Sequence, residues 1–573
     1  MRNMEILIKY LNLKTISYII KSLIQFSEDF MKKKLLLIII ISMFYIITNG
    51  VLFSCTNYLI SKKATVDGST MITYAADSHT LYGELYYTPG RFHREGEMLD
   101  VYEWDTGKYL GKIKQVKKTF TVIGNMNEYQ VSIGETTYGG RKELQHSKLG
   151  VMDYGSLMYI TLQRAKTARE AIKIMGKLVE EYGYLSEGES FSISDPKEVW
   201  IMDMIGKGKE KGAVWVARRV PDGYVSAHAN QARIRKFPLH DSKNCLYSKD
   251  VISFARKMGY FKGKDEDFSF VDAYAPPDFG GLRFCEARVW SFFRRIAPSQ
   301  NMDRYLDYVK GDPKATPLPL WIKPDKKLSV MNLMDLMRDH FEGTALDMTK
   351  DIGAGPYILP YRWRPLVWKL NGKKYFNERA VSTQQTGFSF VAQARGWLPR
   401  FIGGVFWFSV DDTYSTVYVP MYCGIKRAPY NYAVGTGDFH HFSWDSAFWV
   451  FNFVSNFAYS RYSEMIVDIQ RVQRELEGQF LYNQKNIDKA ALSLYKKSPE
   501  LARDYLTKYS SSLSKMVIKR WKKLLTELLV KYLDGNLKDE HGKVLHLGYP
   551  KSWYERIVKE TGDKFLMRES KKK

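Results

Sequence analysis

The spacing of apolar positions along this chain divides it into three regimes, each predicting a different kind of element. Residues 35–53 form an uncharged apolar run preceded by Lys32, Lys33 and Lys34 and closed by Ser54 and Cys55. After Cys55 the pattern shortens to β-rich stretches separated by turn signals. Residues 55–61 and 70–76 read as a hairpin about Val66, Asp67, Gly68 and Ser69, and residues 119–123 and 129–135 as a second one about Gly124, Asn125, Met126 and Asn127. Leu157, Ile160, Ala165, Ala168, Ile172, Met175 and Tyr182 then recur at helical spacing and predict one helix with a buried face. Strands are expected again at 191–194, 199–204, 214–220 and 224–229, broken by Asp195-Pro196 and by Pro221-Asp222-Gly223. Residues 235–380 predict long loops with scattered helices. From Ser443 onward helical spacing dominates, through Ile466, Ile469, Val472, Leu476 and Phe480 and again over 513–533. Strands, helix and strands followed by a helical third suit antiparallel sheets covered by helices, an α+β fold, and not a repeating βαβ wind.

The first regime sets the topology of the ends. A basic start, a long apolar stretch and small or polar residues before Cys55 read as a secretory signal, with residues 1–30 an upstream extension. The same stretch reaches the roughly 20 residues that span a bilayer, so a signal anchor is a second reading, and Leu52-Phe53-Ser54-Cys55 resembles a lipidation box, a third. The expected organisation is a removed segment at 1–54, a core domain at 55–430 and a mainly helical portion at 431–573 packed on it. The protein is expected to be exported to the periplasm, cell envelope or medium, touching the membrane only transiently through the signal segment.

Composition narrows the function classes. Aromatics make up 14% of the 573 residues and hydrophobic residues 45%, which requires a packed body. The net charge of +24 invites a nucleic-acid partner, yet the basic residues are dispersed among carboxylates with no finger, RNP-like strand or basic zipper. No nucleic acid is expected, and the charge suits a surface facing anionic envelope polymers. Apart from Cys55, the chain has Cys245, Cys285 and Cys423, an odd number at wide spacing that indicates neither a disulfide framework nor a zinc site. His79, His228 and His440-His441 lack ligand spacing. No metal and no cofactor are expected.

If the apolar run is removed, Cys55 becomes the first residue, carrying a thiol and a free α-amine, so nucleophile and base are adjacent. Six strings support this reading. CTNYLISKKATVDGSTMITYAAD at 55–77, IGNMNEYQVSIGETTYGGR at 123–141 and GAVWVARRVPDGYVSAHANQARI at 212–234 resemble the secreted bacterial cysteine dipeptidases of the N-terminal-nucleophile (Ntn) hydrolase superfamily, relatives of secernin. So do STQQTGFSFVAQAR at 382–395, GGVFWFSVDDTYSTVYVPMY at 403–422 and FSWDSAFWVFNFVSN at 442–456. The resemblance implies an αββα sandwich, here with a helical C-terminal extension, and hydrolysis of dipeptides or short peptides by Cys55. It implies that Asp77 steadies the amine of the nucleophilic residue and that Asn230 donates to the oxyanion. Where many members carry Arg three positions before that acid, this chain has Tyr74. Glu135 is the candidate to hold the substrate's free amine, and Arg288 the candidate cationic residue of the pocket. Asp411-Asp412 reads as structural, because successive strand residues face opposite sides.

Two alternatives stay open at this stage. One is an acylase or amidase of the penicillin or bile-salt type using the same cysteine. The other is a non-catalytic envelope lipoprotein lipidated at Cys55. Oligomeric state is open.

Overall fold

Strand residues 199–207 illustrate how the layers arise. In a computed structural model, which describes residues 55–567, the strand Val199–Lys207 turns Val199, Ile201 and Ile205 into one apolar cluster and Trp200, Met202 and Met204 into another. The period of two is that of a strand buried on both faces. The first cluster joins this strand to a second sheet, and the second joins it to the helices Tyr154–Leu162 and Ala168–Tyr182.

The strand's own sheet has eight strands in the order Cys245–Tyr247, Glu210–Arg219, Val199–Lys207, Gly188–Ser194, Ser132–Gly139, Met126–Asn127, Val122–Ile123 and Tyr87–Thr88. The facing sheet has seven: Trp321–Ile322, Val225–His228, Asn57–Ile60, Thr70–Asp77, Thr386–Ala394, Gly404–Val410 and Val419–Tyr422. Their ladders are antiparallel. The outer side of the seven-stranded sheet is covered by the helices Ala447–Ala458, Tyr462–Lys497 and Pro499–Lys531. Ser510 of the last donates to the Pro420 carbonyl at 3.0 Å, and Phe451 packs against Trp521 with ring centroids 4.8 Å apart. The molecule is therefore α+β, with antiparallel sheets and C-terminal helices. The described residues apart from Glu103–Lys108 belong to one unit. The expected signal segment lies outside the described residues.

Several elements depart from the sequence expectation for local reasons. The single helix expected from 157 to 182 is two, because Thr167 caps a new start by accepting from Glu170 N, and Asp153 forms a capping box with Ser156 at the first start. The hairpin expected at 119–135 has a further reversal at 128–131, where Asn127 Oδ1 accepts from the backbone of Tyr129 and Val131. The 235–380 stretch carries the short helices Val251–Lys257, Phe270–Tyr274, Ala287–Ile296 and Val330–Leu336. Asp411 and Asp412 lie just past the end of strand Gly404–Val410, not within it. They nonetheless separate: Asp411 accepts from Asn452 and Ser455, while Asp412 accepts from Tyr361 and Tyr459.

Burial, then the charge of Asp412, pushes the Asp411 carboxyl up to about 7. An unfolded Asp titrates near ~3.9, so the folded chain holds a proton that the unfolded chain has lost between those values. That stabilisation is complete below the lower value and disappears as pH rises through about 7. Asp411→Asn, which keeps the shape and tolerates the left-handed φ of 68°, should flatten the fall in stability between pH 4 and 7 in urea titrations. An unchanged slope would show that Asp411 ionises normally.

Candidate active site

Cys55 stands at the mouth of the central strand pair. The strand Asn57–Ile60 pairs with Val225–His228 on one side, Asn57 opposite His228, and with Thr70–Asp77 on the other, Leu59 opposite Ile72. A further bridge joins Thr56 to Ala75, with both backbone hydrogen bonds made at 3.0 and 3.2 Å. One residue before Thr56, the same registers bring Cys55 alongside Ala76 and Asp77 on one side and Ala229 and Asn230 on the other. Its thiol reaches across to the facing sheet, 3.9 Å from Glu135 Oε1 and 3.7 Å from the Tyr74 hydroxyl, which itself donates to Glu135. The two sheets approach closely here because residue 134 is glycine: a Cβ there would lie 2.8 Å from Asn57 Nδ2 and 3.3 Å from Tyr74 Cβ.

Arg288 fastens the strand ends together. It sits in the first turn of helix Ala287–Ile296, after the wide π-type turn Gly281–Glu286. Nη1 donates to the Cys55 carbonyl and to Thr56 Oγ1, Nη2 to the Ala229 carbonyl and to Asn230 Oδ1, and Nε to the Phe284 carbonyl. All five N–H groups of the guanidinium thus meet protein acceptors. The side chain is fully buried, which commits it to positioning Cys55 and Asn230.

Asn230 occupies the left-handed region at φ 59°, which asparagine tolerates better than most residues. Its amide donates to the Thr137 carbonyl at 2.6 Å, leaving the second N–H of the group for another acceptor. The following loop is held by Asp203, whose carboxylate accepts the backbone N–H of Arg233 and Ile234 at 2.9 and 2.8 Å. Asp77 is buried and accepts from Arg379 at 2.6 Å and from Thr386 at 2.7 Å. The five sequence candidates, Cys55, Asp77, Glu135, Asn230 and Arg288, therefore converge from four separate stretches of chain.

The electrostatics of this cluster are anionic around the sulfur. Burial first, then the charges of Glu135 and Asp77, pushes the Cys55 thiol well up, while the Asp77 backbone amide and Tyr74 act in the opposite sense. Burial also raises Asp77, countered by Arg379 and Thr386. Glu189, which accepts from Thr137 at 2.9 Å, is raised by burial and then by Glu135. Glu189 and Arg379 are not marked in the sequence as members of this site, and Tyr74 is marked only as the residue that stands where many relatives carry Arg. Tyr74 lies on a strand expected from sequence and Glu189 just before another, but only the facing of the two sheets shows what they meet. Arg379 lies in a stretch without periodicity and carries no local signal. His228 bridges the sheets, 2.7 Å from both Thr136 Oγ1 and Ser192 Oγ, and burial lowers it to about 3, so it is a neutral structural imidazole.

Residues 87–475 match the family model for Peptidase family C69. The matched stretch includes Glu135, Asn230 and Arg288 and begins after Cys55 and Asp77. Among curated proteins, the chain is 26% identical to a probable dipeptidase of Salmonella dublin over 66% of this chain and 83% of that protein. It is 25% identical to a probable dipeptidase of Latilactobacillus sakei, covering 65% and 73%, and 22% identical to probable dipeptidase B of Streptococcus pyogenes serotype M1, covering 84% and 93%.

Proposed function

Since the chain belongs to Peptidase family C69 and is a cysteine-type peptidase, we propose that Cys55, freed as the first residue by removal of residues 1–54, is its nucleophile. On this reading the protein is an exported dipeptidase with an Ntn-type αββα core. The observation that carries the reading is the placement of the Cys55 sulfur beside Glu135 and Asp77 at the end of the central strand pair.

Two carboxylates around a thiol suppress its ionisation, and so favour a latent sulfur until a cation enters the site. Cleavage before Cys55 creates such a cation, an α-ammonium on the same residue, next to Asp77. A free α-amine titrates near ~7.7–8.0, so at neutral pH part of it is unprotonated and accepts the thiol proton. The thiolate attacks the carbonyl of the first substrate residue, whose own α-ammonium is held by Glu135. The oxyanion that forms accepts from the unused N–H of Asn230. As the tetrahedral species collapses, the C–N bond breaks and the departing amine takes the proton from the Cys55 ammonium. Water then gives a proton to the α-amine and attacks the thioester, and the thiolate leaves, recovering its proton. Arg288 holds Cys55 and Asn230 at fixed separation throughout.

Intact-mass measurement of the protein recovered from the envelope or medium of the producing cell tests the premise. The expected mass is that of an unmodified chain starting at Cys55. A diacylglyceryl adduct, or a chain beginning elsewhere with full dipeptidase turnover, would end this reading, because either removes the free amine that serves as base.

A further inference from the structure

We infer that the cleft beside Asp77 is the subsite for the substrate's C-terminal residue, with Arg364 receiving its free α-carboxylate and apolar walls receiving its side chain. This rests on the reading of Cys55 as nucleophile. The cleft has a volume of about 410 Å³ and opens where the chain leaves the strand holding Asp77, through Ser78 and His79, and where Thr386, a hydrogen-bond partner of Asp77, begins the neighbouring strand. Such a volume suits a small ligand.

Charge pairing around the cleft singles out Arg364. Arg362 pairs with Asp351, Arg379 with Asp77 and Arg283 with Glu378. Among the described residues Arg364 has no carboxylate within ion-pair distance. It donates Nε to His79 Nε2 at 3.1 Å and Nη2 to Gln385, so its partners are neutral acceptors that fix the plane of the guanidinium without cancelling its charge. Burial, and then the positive charge of Arg379, pulls Arg364 down to about 10, still charged at neutral pH. A half-buried cation without a counter-ion is an incomplete arrangement, and a carboxylate completes it with charge-assisted hydrogen bonds.

The rest of the wall is apolar. Leu81, Trp363, Phe448 and Trp449 line the same cleft, and Trp363 remains 63% exposed although it is large and apolar. A dipeptide presents an amine at one end and a carboxylate at the other. Glu135, 3.9 Å from the Cys55 sulfur, and Arg364, in the cleft that Ser78 and His79 line just past Asp77, offer opposite charges to those two ends. Together they favour two-residue substrates with a free carboxylate and an apolar second side chain.

The test compares leucyl-phenylalanine with leucyl-phenylalaninamide on the mature enzyme. The wild type should favour the free acid in kcat/KM by roughly 10- to 100-fold, the range expected for a hydrogen bond to a charged group. Arg364→Gln should bring that ratio close to one, mainly through KM for the acid, and Arg364→Lys should retain part of it. The ratio is read within one preparation, so a partly unfolded variant does not distort it. A wild type indifferent to amidation, or an Arg364→Gln enzyme with the wild-type ratio, would overturn the assignment. Cys55→Ala should lose both substrates. Turnover of either by that variant would instead overturn the reading of the nucleophile.

Discussion

Cys55→Ala is expected to lose on the order of ten-thousand-fold or more in kcat towards dipeptides, because it deletes the attacking atom and leaves only binding and oxyanion contacts. The fold should survive. The side chain is small, and the ladder that holds residue 56 is made by backbone groups to Ala75. The Arg288 contact is likewise to the carbonyl of residue 55, which alanine retains. Cys55→Ser should be inactive or feeble, since a hydroxyl among the charges of Glu135 and Asp77 is harder to ionise than a thiol. Steady-state rates on purified mature proteins, with circular dichroism to check folding, settle the matter. Wild-type turnover by the alanine variant would remove Cys55 from the chemistry.

Glu477→Ala should be the most damaging single change to stability away from the site, about 3–5 kcal/mol. Glu477 lies on the helix Tyr462–Lys497, fully buried, and meets Arg338 through both oxygens, one contact being 3.0 Å. It also accepts from the Tyr418 backbone N–H at 2.9 Å. Arg338 in turn donates to the Thr413 carbonyl at 3.0 Å. Removing the carboxylate leaves a buried guanidinium with only the half-exposed Asp335, 3.6 Å from Nη1, as counter-charge, and unpins the long helix from the edge of the seven-stranded sheet. Urea unfolding measures the loss. A cost below about 1 kcal/mol would mean that water reaches and solvates Arg338. The double change Glu477→Leu with Arg338→Met should restore most of the stability, since neither charge is then left alone.

The local half of the site was legible in the sequence. Cys55 is marked by the apolar run before it, and Asp77 and Asn230 by the resemblance of the strings at 55–77 and 212–234 to the dipeptidase family. Each of these signals needs only a few neighbouring residues. Arg288 is expected from the sequence as a cationic residue of the pocket, because a sequence shows its charge and not its acceptors. That its five donors are all engaged by backbone and side-chain oxygens is visible only once the helix is docked against the strand ends. Glu135 was placed near a strand end, and the structure puts it within the strand Ser132–Gly139, facing the sulfur. The helix break at Thr167 was missed because periodicity continues through it, whereas the cap is a single side chain.

By itself the sequence determined the α+β class, the β-rich stretches that become the inner strands, the helical C-terminal third and the chemical types available to a cysteine peptidase. These follow from periodicity and residue chemistry, which act over a turn of helix or a few strand positions. The tertiary structure alone decided that Glu135 meets both Cys55 and Tyr74 and lies beside Glu189, that Arg379 pairs with Asp77 across 302 residues of chain, and that Arg364 has no counter-charge among the described residues. Those outcomes depend on which sheet faces which and on the desolvation this brings, and no local pattern encodes either.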